Sequence, residues 1–143
     1  MEREILTKTQ AARINAVTLA FLGDAVFTLF VRDRLVRSNT GKAADLQRAS
    51  AKVVSAKGQS VFLEKVLSSF TEEENEVFHR GRNAKKATKS KNASVAEYAR
   101  STGFEAVLGY LYLTGEDERI VNLLSMIDEE ALKGQAAATA YKP

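Results

Sequence analysis

Two acidic side chains stand out because each lies alone in a long apolar stretch. Asp24 is in the segment Ile14–Val36, where apolar residues recur every three or four positions, the period of an α-helix. Glu105 is in a similar segment that ends at Leu113. At helical spacing each acid shares its face mainly with uncharged residues, which predicts a packing face for both. An ionised carboxylate removed from water requires a compensating partner.

Two kinds of partner are open for these carboxylates. A salt bridge to an arginine or lysine is the simpler one, because structural ion pairs also bury acids. The alternative is a divalent cation held between the two helices, since Mg²⁺ binds a few carboxylate oxygens and keeps several waters. Small residues that would let the two helix backbones approach lie beside the acids: Ala20, Gly23, Ala106 and Gly109.

The composition indicates a soluble, cytoplasmic protein. The chain of 143 residues has no cysteine, which excludes disulfides and thiolate metal sites and fits a reducing compartment. No uncharged apolar run reaches the roughly 18 residues of a membrane span, and the mixed-charge start is unlike a signal peptide. We expect one domain over residues 1–133 and a flexible tail over residues 134–143. The single histidine, His79, receives no role.

The pattern predicts an all-α fold of about six helices. No strand alternation occurs, and the one proline is the last residue. After a polar lead-in to about residue 9, we expect helices over residues 14–36 and from residue 43 to about 67, with a break or a close contact at Gly58. Capping boxes at Thr71 and Ser94 predict two further helices, which end near Gly81 and at residue 113. A last helix is expected over residues 116–132.

A run of positive charge lies between the two capping boxes. No acid occurs from His79 to Ala96, and glycine, asparagine and serine in this run predict an exposed loop. Cations next to a carboxylate-bound metal would attract a phosphate backbone, although a plain solvated surface is the alternative. The net charge of only +3 is by itself weak evidence for a polyanionic partner. The candidate phosphate-binding residues are Arg80, Arg82, Lys85, Lys86, Lys89 and Lys91, and Lys57 could extend their surface.

Four motifs, in this order, resemble the ribonuclease III family, and most closely its small mini-ribonuclease III branch. They span residues 20–26 (AFLGDAV), 54–57 (VSAK), 80–85 (RGRNAK) and 101–113, which include Glu105. The resemblance covers about residues 14–130. It implies a ribonuclease III catalytic-domain-like helical bundle without a double-stranded RNA-binding domain. It also implies that Asp24 and Glu105 are catalytic ligands of Mg²⁺, with Mn²⁺ as a substitute, and it adds Asn83 to the RNA-binding residues.

The resemblance further implies an activity and a substrate. The expected reaction is metal-assisted hydrolysis of double-stranded RNA to 5′-phosphate and 3′-hydroxyl products, with 23S ribosomal RNA precursor as the substrate. The expected assembly is a homodimer formed through the helix that carries Asp24. Phe21, Phe27 and Phe30 are compatible with such an isologous interface, and equally with a plain core.

The chain departs from full-length ribonuclease III at two acidic positions. Ala20 and Thr102 stand where those enzymes carry carboxylates, and the mini branch resembles this chain in both respects. Thr102 could hold a metal-bound water, whereas Ala20 can hold nothing. Because these two acids are missing, a catalytically inactive protein of the same fold that binds RNA or the ribosome is an alternative. A helical interaction domain without an RNA ligand is a third alternative.

Overall fold

The computed structural model describes residues 2–38, 41–85 and 93–127, and these ranges form eight α-helices and no strand. The helices are α1 Lys8–Ala12, α2 Ala16–Ser38, α3 Ala43–Val54, α4 Ala56–Gln59, α5 Leu63–Leu67, α6 Glu72–Asn83, α7 Val95–Leu113 and α8 Asp117–Ile127. The all-α prediction is confirmed. No helix within the described ranges is long and apolar enough to cross a membrane.

The core lies around α7, the most deeply buried helix, and α2 packs along it. Three phenylalanine rings from different parts of the chain meet edge to face beside this contact: Phe27, Phe62 and Phe104, with ring centroids 5.5–6.1 Å apart. Such aromatic pairs stabilise a core beyond the area they bury. Phe27 is 0% exposed, so of the two alternatives left open for it, the core is the one that the structure shows.

Two glycines bring the backbones of α2 and α7 into direct contact. A Cβ atom added to Gly23 would lie 1.7 Å from the carbonyl oxygen of Glu105, and one added to Gly109 would lie 2.0 Å from that of Leu19. Any side chain at either position would force the helices apart. The predicted close approach is thus confirmed for both glycines. Ala106 lies instead against α6. A Cβ atom added to Gly81 would lie 3.0 Å from the Cβ atom of Ala106.

Capping residues in the sequence set the starts of several helices. The hydroxyls of Thr71 and Ser94 each accept a hydrogen bond from the backbone N–H three residues on, at 3.1 Å. The glutamates at those positions accept one in return, so both predicted capping boxes are confirmed. Helix α7 ends at Leu113 as predicted, and Gly115 follows in the left-handed region with φ 76°.

Other boundaries differ from the prediction. The expected stretch over residues 43–67 is three helices. Ser55 ends α3 and caps α4 by accepting a hydrogen bond from Gly58 N at 3.0 Å, and residues 60–62 separate α4 from α5. Helix α1 begins inside the predicted polar lead-in and extends beyond it, and Thr7 and Gln10 form a third capping box at its start. In the described residues the last helix ends at Ile127. The predicted tail, residues 134–143, lies outside them.

Candidate active site

The contact between α2 and α7 places the two predicted acids side by side. Asp24 follows Gly23, which touches the Glu105 backbone. The carboxyl groups of Asp24 and Glu105 are close enough for a hydrogen bond between them, and the charge of Asp24 acts on Glu105. The structure therefore brings together two residues that are 81 positions apart in the chain.

The electrostatics of this pair are unusual for a carboxyl group. Burial raises the pKa of Glu105 to about 8, and the neighbouring charge of Asp24 acts in the same direction. A hydrogen bond from Gln59 opposes the shift. Without a cation, Glu105 therefore holds a proton at neutral pH. This donor set fits a hard divalent cation, which would replace that proton and relieve the repulsion between the two carboxylates.

The exposure of Asp24 corrects one expectation. Glu105 is partly buried, but Asp24 is exposed and does not lie on the packing face. The reason is that α2 is apolar on more than one side: Phe21 is 83% exposed and Leu29 is 66% exposed. The helical period therefore revealed the helix without showing which side faces the core. Asp24 lies at the edge of the contact with α7, where solvent and a ligand can reach it.

The salt-bridge alternative finds no support around these acids. Within residues 2–38, 41–85 and 93–127, no ion pair joins Asp24 or Glu105 to a lysine or arginine. The same ranges contain no group of three or more histidine, cysteine, aspartate or glutamate residues that could enclose a metal. Two carboxylates alone would leave most ligand positions to water, as Mg²⁺ commonly prefers.

The two positions that lack acids are both buried. Ala20 is 5% exposed, and Thr102 is 6% exposed. The hydroxyl of Thr102 donates to the Tyr98 carbonyl oxygen at 3.0 Å, which leaves its oxygen able to accept a further hydrogen bond. The role of Thr102 in holding a metal-bound water stays a prediction.

Sequence reasoning missed Gln59, which contacts Glu105 directly. Its Nε2 donates to Glu105 Oε2 at 3.1 Å and to the Val54 carbonyl oxygen at 3.0 Å. The residue follows the VSAK motif by two positions. That proximity to a singled-out motif was the only signal in the sequence.

Part of the predicted basic loop is helical. Arg80, Arg82 and Asn83 belong to the end of α6, so their placement in a loop is wrong. The Arg80 guanidinium donates to the Ile14 carbonyl oxygen at 2.9 Å, and Arg82 donates to Asn83 Oδ1 at 3.3 Å. Gly81 does not stop the helix, because its missing side chain serves packing: a Cβ there would lie 2.8 Å from Gly103 Cα.

The remaining candidate RNA-binding residues are lysines that follow α6 in the sequence or belong to α4. Lys85 is exposed just after α6, and Lys57 is exposed on α4, two residues before Gln59. Lys86, Lys89 and Lys91 lie outside the described residues. The cations at the C-terminal end of α6 also complement its helix dipole.

Residues 17–116 match the family model described as Ribonuclease III domain, and this match defines the chain as an endoribonuclease of the ribonuclease III class. Similar proteins identify the family within this class. The chain is 39% identical to Mini-ribonuclease 3 of Clostridium tetani over 87% of this chain and 83% of the relative. It is 44% identical to that of Symbiobacterium thermophilum over 83% of this chain and 92% of the relative. The chain belongs to the mini-ribonuclease 3 family.

A solved structure supports the fold. The crystal structure of a protein from Fusobacterium nucleatum matches with a TM-score of 0.74 and 29% sequence identity, covering 80% of this chain and 93% of that one. The helical arrangement described above therefore recurs in an experimentally determined structure.

Proposed function

We propose that the protein cleaves double-stranded RNA in a reaction that depends on Mg²⁺, or on Mn²⁺ as a substitute, held by Asp24 and Glu105. The observation that carries the proposal is the pairing of these two acids across α2 and α7. The charge of Asp24 helps to hold the pKa of Glu105 near 8, and the described ion pairs supply no cationic side chain to either acid. A divalent cation is the partner that such a pair lacks.

Asp24 and Glu105 would have different roles at this site. A metal bound there would activate a water for attack on phosphorus and offset negative charge at the phosphate. Exposed Asp24 can meet a ligand at the surface, whereas partly buried Glu105 is held in place by its hydrogen bond from Gln59. Cleavage of the bond between phosphorus and the 3′-oxygen would leave a 5′-phosphate and a 3′-hydroxyl.

Duplex recognition would come from positive charge and shape. Double-stranded RNA is read mainly through its phosphates and 2′-hydroxyl groups. The basic end of α6 and the lysines that follow it offer phosphate contacts without sequence readout. Precursor 23S ribosomal RNA in the cytoplasm is the proposed substrate, supported by the similarity of the motifs to the mini-ribonuclease III branch.

A cleavage assay tests the proposal. Purified protein is incubated with a duplex RNA in Mg²⁺ or in chelator, and single-stranded RNA of the same sequence is the control. Products with 5′-phosphates that form only from the duplex and only with Mg²⁺ are expected. Duplex binding without products would favour the inactive RNA-binding alternative. Neither binding nor products would favour a helical interaction domain.

Removing three lysines after α6 is expected to weaken RNA binding rather than chemistry. In a variant with Lys85, Lys86 and Lys89 replaced by alanine, the RNA concentration for half-maximal cleavage should rise about tenfold. Each lost phosphate contact reduces the number of counterions that binding releases, and so lowers the affinity. The single-turnover rate at saturating RNA should stay unchanged.

The matched control replaces three lysines elsewhere, Lys8, Lys42 and Lys65, by alanine and so changes net charge equally. Its RNA dependence should stay close to that of the wild type. A slower single-turnover rate in the first variant, with RNA binding unaltered, would contradict the assigned role.

A homodimer formed through α2 is part of the proposal, since one site cuts one strand. The support is a set of exposed apolar side chains on this helix: Val17, Phe21, Leu29 and Val36. A phenylalanine that is 83% exposed, with apolar neighbours on the same helix, is characteristic of an interaction surface. Phe30 is partly buried against the core and adds to this surface less than Phe21 does.

Charging this surface is expected to separate the subunits. Phe21→Asp should convert a dimer into a monomer in size-exclusion chromatography with light scattering, because an isologous interface would bring two new charges close together. Val61→Asp is the control, since Val61 is 72% exposed and lies outside α2. A monomeric mass for the wild type would contradict the dimer.

A further inference from the structure

The short helix α4 is fixed tightly to the end of α3. Ser55 Oγ accepts a hydrogen bond from Gly58 N at 3.0 Å, and a Cβ on Gly58 would lie 1.8 Å from the Lys52 carbonyl oxygen. Only glycine allows this approach. Gln59, the last residue of α4, therefore extends from a part of the backbone that has little freedom to move.

The side chain of Gln59 joins this part of the fold to Glu105. It is 1% exposed, and its Nε2 donates to both Val54 O and Glu105 Oε2, at 3.0 and 3.1 Å. The Val54 carbonyl can only accept, so the amide nitrogen must face this side. The hydrogen bond to the carboxyl group therefore has a defined donor and a defined acceptor.

The other end of the Gln59 amide is left without a partner. Its Oε1 is buried and accepts no hydrogen bond from any described residue. A buried acceptor without a partner carries a desolvation cost that no hydrogen bond offsets. A purely apolar side chain at this position would avoid that cost. The amide donates instead to an acid that the proposed reaction uses.

We infer that Gln59 is a positioning residue, whose buried amide holds the Glu105 carboxylate in the orientation that binds a divalent cation. The inference rests on the proposed metal site and extends it. The hydrogen bond occupies one oxygen of Glu105 and restricts rotation of the carboxylate, which leaves the other oxygen for a ligand. Partners that orient metal ligands in this way commonly contribute 10–100-fold to metal affinity.

The test measures Mn²⁺ binding in the absence of RNA, by the electron paramagnetic resonance signal of free Mn²⁺. Gln59→Met removes the donor at similar length, and its Mn²⁺ dissociation constant is expected to rise about tenfold or more. Duplex binding without metal should stay unchanged. The Mg²⁺ concentration for half-maximal cleavage should rise in parallel, with a smaller effect on the rate at saturating Mg²⁺.

Two further variants keep the test informative. Gln59→Asn retains a buried amide but is shorter by one methylene, so it tests the contact with Glu105 if the methionine variant does not fold. Gln47→Met, at an exposed glutamine on α3, is the control and should bind Mn²⁺ like the wild type. A folded Gln59 variant that only melts at lower temperature, with unchanged Mn²⁺ affinity, would overturn the inference.

Asp24→Asn separates this inference from the proposed function. If Asp24→Asn and the Gln59 variants all weaken Mn²⁺ binding, both are supported. If only Asp24→Asn weakens it, the metal site stands and the role of Gln59 is overturned. If Asp24→Asn binds Mn²⁺ like the wild type, the metal site falls and the inference falls with it.

Discussion

Asp24→Asn is expected to lower the rate of duplex RNA cleavage by about 10³-fold or more, with little change in the fold. The side chain keeps its size but loses its charge, so a cation between α2 and α7 would lose one of its two anionic ligands. Metal stabilisation of several kcal/mol, at about 1.4 kcal/mol per factor of ten, corresponds to a loss of this order. The measurement is the single-turnover cleavage rate with saturating RNA at fixed Mg²⁺.

The fold should tolerate this change because Asp24 is exposed and forms no ion pair with a described lysine or arginine. Asp33→Asn is the matched control, since it makes the same chemical change at an exposed position of the same helix. Its cleavage rate should equal that of the wild type. Duplex binding without metal should be retained by both variants. Undiminished cleavage by Asp24→Asn would remove Asp24 from the catalytic site.

The elements that the sequence predicted well are those set by neighbouring residues. The capping boxes at Thr71 and Ser94 depend on residues three positions apart, and both formed as expected. The break in the stretch over residues 43–67 has a local cause too, the cap at Ser55. That cap was missed because apolar residues continue on both sides of it.

The orientation of α2 could not be predicted from periodicity. Its buried side includes Phe27 and Val31, while Phe21 and Leu29 point outward. A helix that is apolar on several sides gives no single stripe to assign to the core. The resulting error placed Asp24 among packed residues, although its pairing with Glu105 was anticipated from the small residues around both acids.

The role of glycine also depends on distant parts of the chain. Gly81 looked like a helix terminator, but it lies inside α6 because α7 packs closely against it. The role of Gln59 was missed for the same reason, because its hydrogen-bond partner Glu105 is 46 positions away in the chain. Short-range patterns cannot reveal such contacts. Only the folded arrangement shows that Gln59 on α4 contacts Glu105.

Replacing Glu105 by glutamine is expected to stabilise the metal-free protein at alkaline pH. The pKa of Glu105 is raised from 4.5 to about 8, through burial first and then the charge of Asp24. Between these two values the folded state binds a proton that the unfolded state has released. The free energy of unfolding therefore falls as pH rises across this window. Glutamine is never ionised, so the variant lacks this contribution.

The expected gain is about 2 kcal/mol or more at pH 8.5, since each unit of pKa shift corresponds to about 1.4 kcal/mol. The difference should shrink as pH falls through this window and be small near pH 4.5, where Glu105 is protonated in the folded state and half protonated in the unfolded state. Thermal unfolding in chelator from pH 4.5 to 9 measures it. Glu118→Gln, at an exposed glutamate on α8, is the control and should follow the wild type.

Adding Mg²⁺ at pH 8.5 should reverse the order of the two proteins. A ligand that binds only the folded state raises its stability, and the wild type has both carboxylates to bind it, whereas Glu105→Gln retains only one. The wild type should therefore gain melting temperature with Mg²⁺ concentration, and the variant should gain little. A variant that is less stable than the wild type at every pH in chelator would show that the Glu105 carboxylate supports the fold rather than a cation.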